Sequence, residues 1–150
     1  MTPAGSVKER LRLVLRRGDT KHLVYLLQSS SVTPILFAMH GPSLMHLAAT
    51  ADDTACVAIL ADNGVAVGAL NVVDETPLAT AVKHGSARVA KLLLSLGAGL
   101  ESSTYLQTNP LHHAVKAKSR ECVQLLLEHA TSQGLDVLRK VRLPCSVLQC

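Results

Sequence analysis

Histidine and cysteine are the residue types in this sequence that could bind a metal or act as a base or nucleophile. The chain of 150 residues includes seven histidines and four cysteines. Zinc sites and metalloproteases place these residues at short fixed spacings such as C-x-x-C or H-E-x-x-H, and neither spacing occurs. His112 and His113 are adjacent, so on a helix their rings would point in different directions and make a poor pair of ligands. We therefore expect no metal site.

Other motifs of catalysis and nucleotide binding are also missing. The sequence contains no G-x-G-x-x-G, no P-loop and no G-x-S-x-G, which phosphate-binding loops and serine hydrolases require. Asp52 and Asp53 form the most conspicuous acidic pair, which we interpret as a solvated turn between helices. Cys145 and Cys150 have no partner at metal-binding spacing. We expect no catalytic residues, no cofactor and no small-molecule substrate, and therefore no enzyme.

The composition indicates a single α-helical domain. Hydrophobic residues make up 48% of the chain, but there is no Trp, one Phe and two Tyr. A core of Leu, Val and Ala suits closely packed helices better than a β-sandwich, whose strands favour aromatic and β-branched residues.

The net charge of +4 is concentrated at the two ends of the chain. Basic ends could meet nucleic acid or an anionic membrane. However, Arg10, Arg12, Arg16 and Arg17 alternate with apolar residues, as on the solvated face of an amphipathic helix. No aromatic side chains interleave with them as a nucleic-acid stacking surface would need. We therefore expect no binding to a membrane, and nucleic acid is a disfavoured partner.

Cysteine usage and hydropathy bear on the cellular compartment. The four cysteines show no pairing pattern, no signal peptide precedes the first helix, and no uncharged stretch is long enough to span a bilayer. We expect a reducing compartment, in the cytoplasm or nucleus, with Cys56 and Cys122 as buried thiols.

Three segments of the chain repeat at a constant interval. Stretches that begin at Ser43, Thr76 and Asn109 read SLMHLAA, TPLATAV and NPLHHAV, and their first residues lie 33 positions apart. Each is followed, in the same register, by an apolar stretch that contains Val57, Val89 or Val123. A period of this length indicates stacked supersecondary units. Val24 stands one full period ahead of Val57, so a fourth copy precedes the other three.

These motifs resemble the ankyrin repeat, whose pattern combines a T-P-L-H opening with a V-x-x-L-L-L second half. The resemblance covers about Val7 to Ala130 and implies an all-α solenoid of helix-turn-helix units joined by β-hairpin-like loops. The first copy lacks the T-P-L-H opening and carries charge on its outer side, as a terminal capping repeat should. The expected units are a capping repeat at 1–40, repeats at 41–73, 74–106 and 107–133, and a tail or short capping helix at 134–150.

The repeat pattern also predicts local roles. Thr76 should cap a helix that begins at Pro77, and Gly85 should end that helix with a left-handed turn. The neighbouring copies have Asp52-Asp53 and Lys118-Ser119 in this place, where a left-handed turn should be less favourable than with glycine. In the family, the histidine of the T-P-L-H motif forms a hydrogen bond between repeats, which implies that role for His46 and His112.

The second half of each copy supplies the larger apolar side chains. In the last two copies these are Leu92, Leu93 and Leu94, then Leu125, Leu126 and Leu127. One repeat is too small to cover them, so we expect the stacking of neighbouring repeats to bury them.

Ankyrin-repeat proteins bind partner proteins through loop tips and the exposed side of the first helices, which together form a concave surface. Tyr105 is the most attractive single anchor, because exposed tyrosines are enriched at binding hot spots. The alternative is that its ring packs on the neighbouring loop. The resemblance assigns protein binding to His40, Val73, Asp74, Tyr105 and Gln107 at the tips, and to Thr80, Lys83, His84, His113 and Lys116 on the first helices.

Three classes of function agree with these observations. The first is an interaction module that recognises one partner protein. The second is a substrate-recognition adaptor of a cullin-type ubiquitin ligase, because residues 120–129 resemble the last repeats of ankyrin proteins that carry a SOCS box. The tail, however, lacks the expected Leu and Cys pattern for binding elongin. The third is an IκB-like regulator of a transcription factor, which the basic charge of the chain disfavours.

The tail is compatible with two interpretations. Residues 135–143 could form one more short helix, ended by Pro144, that covers the last repeat. Alternatively, the chain is a fragment or variant of a longer protein.

Overall fold

The computed structural model describes residues 7–28, 44–100 and 109–134. All regular secondary structure within these ranges is α-helical. The capping and tail boundaries that the repeat pattern predicts fall largely outside the described ranges, as does the tail helix, and they stay predictions. The helices are α1 (Val7–Arg17), α2 (Thr20–Gln28), α3 (Leu44–Thr50), α4 (Thr54–Asp62), α5 (Pro77–Lys83), α6 (Ala87–Ser95), α7 (Pro110–Lys116) and α8 (Arg120–Ser132).

Short polar residues begin several of these helices. The side chain of Thr76 accepts a hydrogen bond from the Ala79 backbone N–H at 3.2 Å, with Pro77 as the first helical residue. Asn109 does the same for α7, accepting from the His112 N–H at 2.9 Å. Each cap satisfies one of the N–H groups that a helix start leaves without a partner. The cap predicted at Thr76 is confirmed.

The helices pair and stack in two layers. Each odd-numbered helix packs against the even-numbered helix that follows it, and α1, α3, α5 and α7 then stack in chain order, as do α2, α4, α6 and α8. We name these the first-helix layer and the second-helix layer. Alanines at the centre of the first-helix layer are fully buried, which lets neighbouring helices approach closely: Ala48, Ala49, Ala81 and Ala114. The predicted solenoid of helical repeats is confirmed.

A left-handed residue joins the two helices of every pair. Its φ is +66° at Gly18 and +73° at Gly85, but the same turn uses Asp52 at +52° and Lys118 at +55°. Side chains are disfavoured at positive φ, so the turns at Asp52 and Lys118 carry strain. These φ values agree with the prediction that the turns at Asp52 and Lys118 are less favourable than a turn with glycine.

The first copy is offset by one residue from the predicted register. The interval from Gly18 to Asp52 is one residue longer than the regular period that separates Asp52, Gly85 and Lys118. The residues after these turns show the same offset. Asp19 Oδ1 accepts a hydrogen bond from the His22 N–H, and Asp53 Oδ1 accepts the equivalent bond from the Cys56 N–H. The interval from Asp19 to Asp53 equals that from Gly18 to Asp52. The extra residue lies before the three regular copies.

This offset changes which residue of α2 faces the core. The prediction that Val24 matches Val57 is wrong, because Leu23 occupies that place and is fully buried. Val24 is only partly buried.

Burial of the second helices follows helical geometry. Leu60, Leu93 and Leu126 are buried, while Leu92 and Leu125 are only partly covered and Leu127 is 40% exposed. Consecutive helical residues point about 100° apart, so three in a row cannot all face the core. The expectation that stacking buries all of Leu125 to Leu127 is therefore wrong for Leu127.

Candidate functional site

The turn residues align equivalent side chains of the first-helix layer. Two positions before each turn residue stand Arg16, Thr50, Lys83 and Lys116, all of them exposed. We name these four the basic row, since three of them are cations. Five positions before each turn residue stand Leu13, Leu47, Thr80 and His113, which we name the inner row. Because α1, α3, α5 and α7 stack side by side, each row runs across all four repeats.

The predicted binding residues of the central repeats lie close together on this face. Lys83 is the last residue of α5 and His84 caps its end, while Thr80 is buried in the middle of the helix. His113 and Lys116 belong to α7, which packs directly against α5. Val73 and Asp74 lie in the loop just ahead of α5. Three further predicted residues, His40, Tyr105 and Gln107, lie outside the described residues. That these residues bind a partner stays a prediction.

The loop ahead of α5 is a compact hairpin-like turn. Asn71 Oδ1 accepts hydrogen bonds from the backbone N–H groups of Val73 and Glu75, both at 2.9 Å. The Asn71 N–H donates to the Glu75 carbonyl at 3.1 Å, and the Asp74 N–H donates to the Asn71 carbonyl at 3.0 Å. These bonds fix a tip on which Val72 is 76% and Val73 61% exposed. The turn thus presents two branched apolar side chains in a defined conformation.

Two contacts attach this tip to the repeats on either side of it. His46 Nε2–H, from α3 of the preceding repeat, donates to the Glu75 carbonyl at 2.7 Å. Lys83 Nζ lies 3.2 Å from Glu75 Oε1 and joins the tip to the end of α5. Burial lowers the pKa of His46, although the hydrogen bond and the charge of Glu75 oppose that shift. The predicted structural role of His46 between repeats is confirmed.

Two polar atoms of the inner row are buried without a hydrogen-bond partner in the described part of the chain. They are Thr80 Oγ1 and His113 Nε2, at equivalent places in adjacent repeats. Burial lowers the pKa of His113, and Lys83, His112 and Lys116 lower it further while Glu75 raises it. Burial therefore disfavours the protonated form of the ring. The His112 and His113 rings stand nearly perpendicular, at 86°.

The acidic pair in the second repeat is structural. Asp53 caps α4 by accepting from the Ala55 and Cys56 N–H groups at 3.0 and 3.2 Å. Asp52 lies 3.4 Å from the Arg88 guanidinium of the next repeat. The interpretation of these carboxylates as merely solvated is wrong, because the helix start and the neighbouring repeat both use them.

Cys56 is a poor nucleophile. Cys56 and Cys122 are buried free thiols, as predicted. Cys56 Sγ–H donates to Asp53 Oδ2 at 3.1 Å, and burial, followed by this hydrogen bond, raises the pKa of Cys56 to about 12. Nucleophilic attack and metal binding need the thiolate, which this environment suppresses.

The described ranges offer no further site chemistry. No three His, Cys, Asp or Glu side chains within them cluster closely enough to hold a metal ion. No helix in the same ranges is long and apolar enough to cross a membrane.

Some residues of this face escaped prediction from the sequence. Arg16 and Leu13 join the rows only once Gly18 is aligned with Gly85, and the shared Gly at the turn is the signal that could have revealed them. The position of Leu47 on this face was not predicted, because a leucine in a helix is usually expected in the core. Val72 precedes Val73 in a loop whose tip the sequence located only approximately.

Comparisons with known proteins agree with this geometry. A family model described as ankyrin repeats (3 copies) matches residues 11–104 and 44–140. Rabankyrin-5 of Homo sapiens is 33% identical over 71% of this chain, and the B-cell lymphoma 3 protein homolog of Mus musculus is 31% identical over 73% of it. A transient receptor potential cation channel subfamily A member 1 homolog of Caenorhabditis elegans is 38% identical over 67% of it.

The matched region is a small part of each relative. It spans 11% of Rabankyrin-5, 26% of the B-cell lymphoma 3 protein homolog and 8% of the channel homolog. The resemblance therefore concerns the repeats and not the other segments of those proteins. With the family model matching most of the sequence and the helices stacked as repeats, this chain belongs to the ankyrin-repeat family.

Proposed function

We propose that this chain is a non-enzymatic module that binds a partner protein through the first-helix face and the neighbouring loop tips. The observation that carries the proposal is the tip at Asn71 to Glu75. Its two apolar side chains stand exposed on a turn held by four hydrogen bonds and anchored to the preceding repeat through His46. A preordered surface loses little conformational freedom on binding, which favours affinity.

The sites that would support catalysis are weak by comparison. The buried Cys56 thiol is held protonated, and the Asp52 and Asp53 carboxylates are engaged in an ion pair and a helix cap. Free cysteines at Cys56 and Cys122 also support the proposal of a reducing compartment, the cytoplasm or nucleus.

Two narrower roles are alternatives within the same proposal. A ubiquitin-ligase adaptor is supported by the likeness of residues 120–129 to repeats that precede a SOCS box. An IκB-like regulator would bind a basic segment of a transcription factor, and the cations of the basic row oppose that role. The identity of the captured protein separates the two alternatives from the general module.

Affinity capture from cell lysate tests the proposal, with the whole chain as bait. The site variant is Val72→Ser with Val73→Ser, which removes the apolar tip. The matched control is Leu96→Ser with Leu127→Ser, two exposed apolar residues of the second-helix side. We expect one protein to be retained by wild type and by the control and lost with the tip variant.

The opposite pattern would contradict the proposal. If the captured protein survives the tip variant but is lost with the control, binding uses the other side of the repeats. Recovery of elongins and a cullin would favour the adaptor role, and recovery of a transcription factor the IκB-like role. Circular dichroism of every bait verifies that the helices are intact.

A further inference from the structure

The two helix layers differ in charge. The first helices, α1, α3, α5 and α7, carry seven Lys and Arg against a single acidic residue, Glu9. The second helices, α2, α4, α6 and α8, carry four Lys and Arg against three acidic residues. The excess positive charge of the helices therefore lies mainly in the layer that forms the proposed binding face. A face of one sign attracts partners of the other.

The cations of the basic row are available to a partner. Arg16 and Lys116 are exposed and form no ion pair with any residue that the structure describes. Lys83 is paired with Glu75 but its side chain keeps 54% exposure. Stacked helices lie about 8–10 Å apart, so Lys83 and Lys116 are separated by about that distance. Arg16 and Lys83 are separated by about twice that distance, because Thr50 occupies the place between them.

Apolar groups run beside these cations. Leu13 of the inner row is 50% exposed and Leu47 is partly exposed. The apolar tip at Val72 and Val73 lies just ahead of α5, whose end bears Lys83. A ligand that complements the whole face must therefore bring carboxylate or phosphate groups together with apolar side chains.

Protein meets these requirements better than nucleic acid does. The described first helices contain no Phe, Tyr or Trp on which bases could stack. A peptide in the extended polyproline II conformation advances about 3.1 Å per residue with three residues per turn, so every third side chain lies on the same side and spans about the interval between repeats.

We infer that the first-helix face receives an extended acidic segment of a partner protein. Two of its carboxylates lie three residues apart and face Lys83 and Lys116, a third lies six residues from the Lys83 partner and faces Arg16, and apolar residues lie between them. The inference rests on the proposed function and specifies the class of partner. The carboxylates pair with Arg16, Lys83 and Lys116, and the apolar residues pack on the inner row and the Val72-Val73 tip.

Selection from a random peptide display library tests the inference, with the whole chain as target. We expect enrichment of Asp and Glu at one interval of three residues and one of six, with Leu, Ile and Val between them. The variant Arg16→Gln, Lys83→Gln, Lys116→Gln should bind the selected peptides about 10-fold more weakly, since each exposed ion pair contributes modestly. The control Lys21→Gln, Lys91→Gln, Arg120→Gln removes equal charge from the second-helix layer and should leave the affinity unchanged.

Several results would overturn the inference. If the selected peptides show no acidic enrichment but still require Val72 and Val73 for binding, the inference is wrong and the proposed function stands. Equal weakening by both triple variants would show a general charge effect instead of this face. Tighter binding of a single-stranded oligodeoxynucleotide, or of vesicles of mixed phosphatidylcholine and phosphatidylserine, than of the best peptide would assign the face to another polyanion.

Discussion

At the scale of the residue, the turns at Asp52 and Lys118 put side chains where glycine is favoured. Lys118 has φ +55°, and glycine stands in the equivalent turn at Gly85 with φ +73°. We predict that Lys118→Gly raises the free energy of unfolding by about 1 kcal/mol, because it relieves the left-handed strain. Urea denaturation followed by circular dichroism measures this change.

Two control variants separate the backbone effect from side-chain contacts. Lys118→Ala removes the lysine side chain and keeps the strained φ, so it should give no comparable gain. Gly85→Ala should lower stability by about 1 kcal/mol, and a Cβ there meets no atom within 4 Å. A gain from Lys118→Ala equal to that from Lys118→Gly would refute the strain argument.

Buried histidine makes stability depend on pH. The pKa of His46 lies below its ordinary value of 6.5 because of burial. The unfolded chain therefore binds a proton more readily, so this contribution to stability is complete above pH 6.5 and is lost as pH falls toward the folded pKa. We predict that His46→Gln, which can still donate to the Glu75 carbonyl, reduces the fall in unfolding free energy between pH 7 and pH 5. Parallel slopes for wild type and variant would contradict this prediction.

At the scale of the element, helix starts differ in how they are capped. Asn109 caps α7 through its side chain, whereas Ser86 occupies the same position before α6 without a side-chain cap bond. We predict that Asn109→Ala costs about 1 kcal/mol of unfolding free energy and that Ser86→Ala costs clearly less. Thermal unfolding of the two variants compares them directly, and a larger loss at Ser86 would show that the cap geometry does not decide stability.

Elements were predictable from the sequence where local chemistry repeats. The cap at Thr76 and the left-handed Gly85 both follow from residue types with strong positional preferences. The register of α2 did not follow, because Leu23 and Val24 are both apolar and only the turn that precedes them distinguishes the two. The cap role of Asp53 was missed for a similar reason. An Asp in a turn can be identified as a helix cap only once the first residue of the following helix is known.

The surface of the first-helix layer was predictable in part. Lys83 and Lys116 could be placed on the first helices, and His84 at the end of one, because the repeat period transfers positions between copies. Pairing of Lys83 with Glu75 and the burial of Thr80 could not be predicted, since they depend on how the tip folds against α5. Arg16 could not be assigned to the basic row without knowing that the interval from Gly18 to Asp52 is one residue longer than the others.

At the scale of the whole molecule, stability should be distributed by neighbour contacts between repeats. Leu93 lies in α6, which packs between α4 and α8 in the second-helix layer, and it is fully buried. We predict that Leu93→Ala costs about 2–5 kcal/mol of unfolding free energy, because its side chain belongs to the core that adjacent repeats share. Urea denaturation measures the loss.

Leu127 supplies the matched control, because it belongs to the same layer but is 40% exposed. Leu127→Ala should cost less than about 1 kcal/mol, as an exposed side chain loses little burial on truncation. If both variants lose the same stability, then the buried interface of the central repeats is not what holds the molecule together. If Leu93→Ala instead broadens the transition, the repeats on either side of α6 unfold separately, as expected for a stack in which each repeat depends on its neighbours.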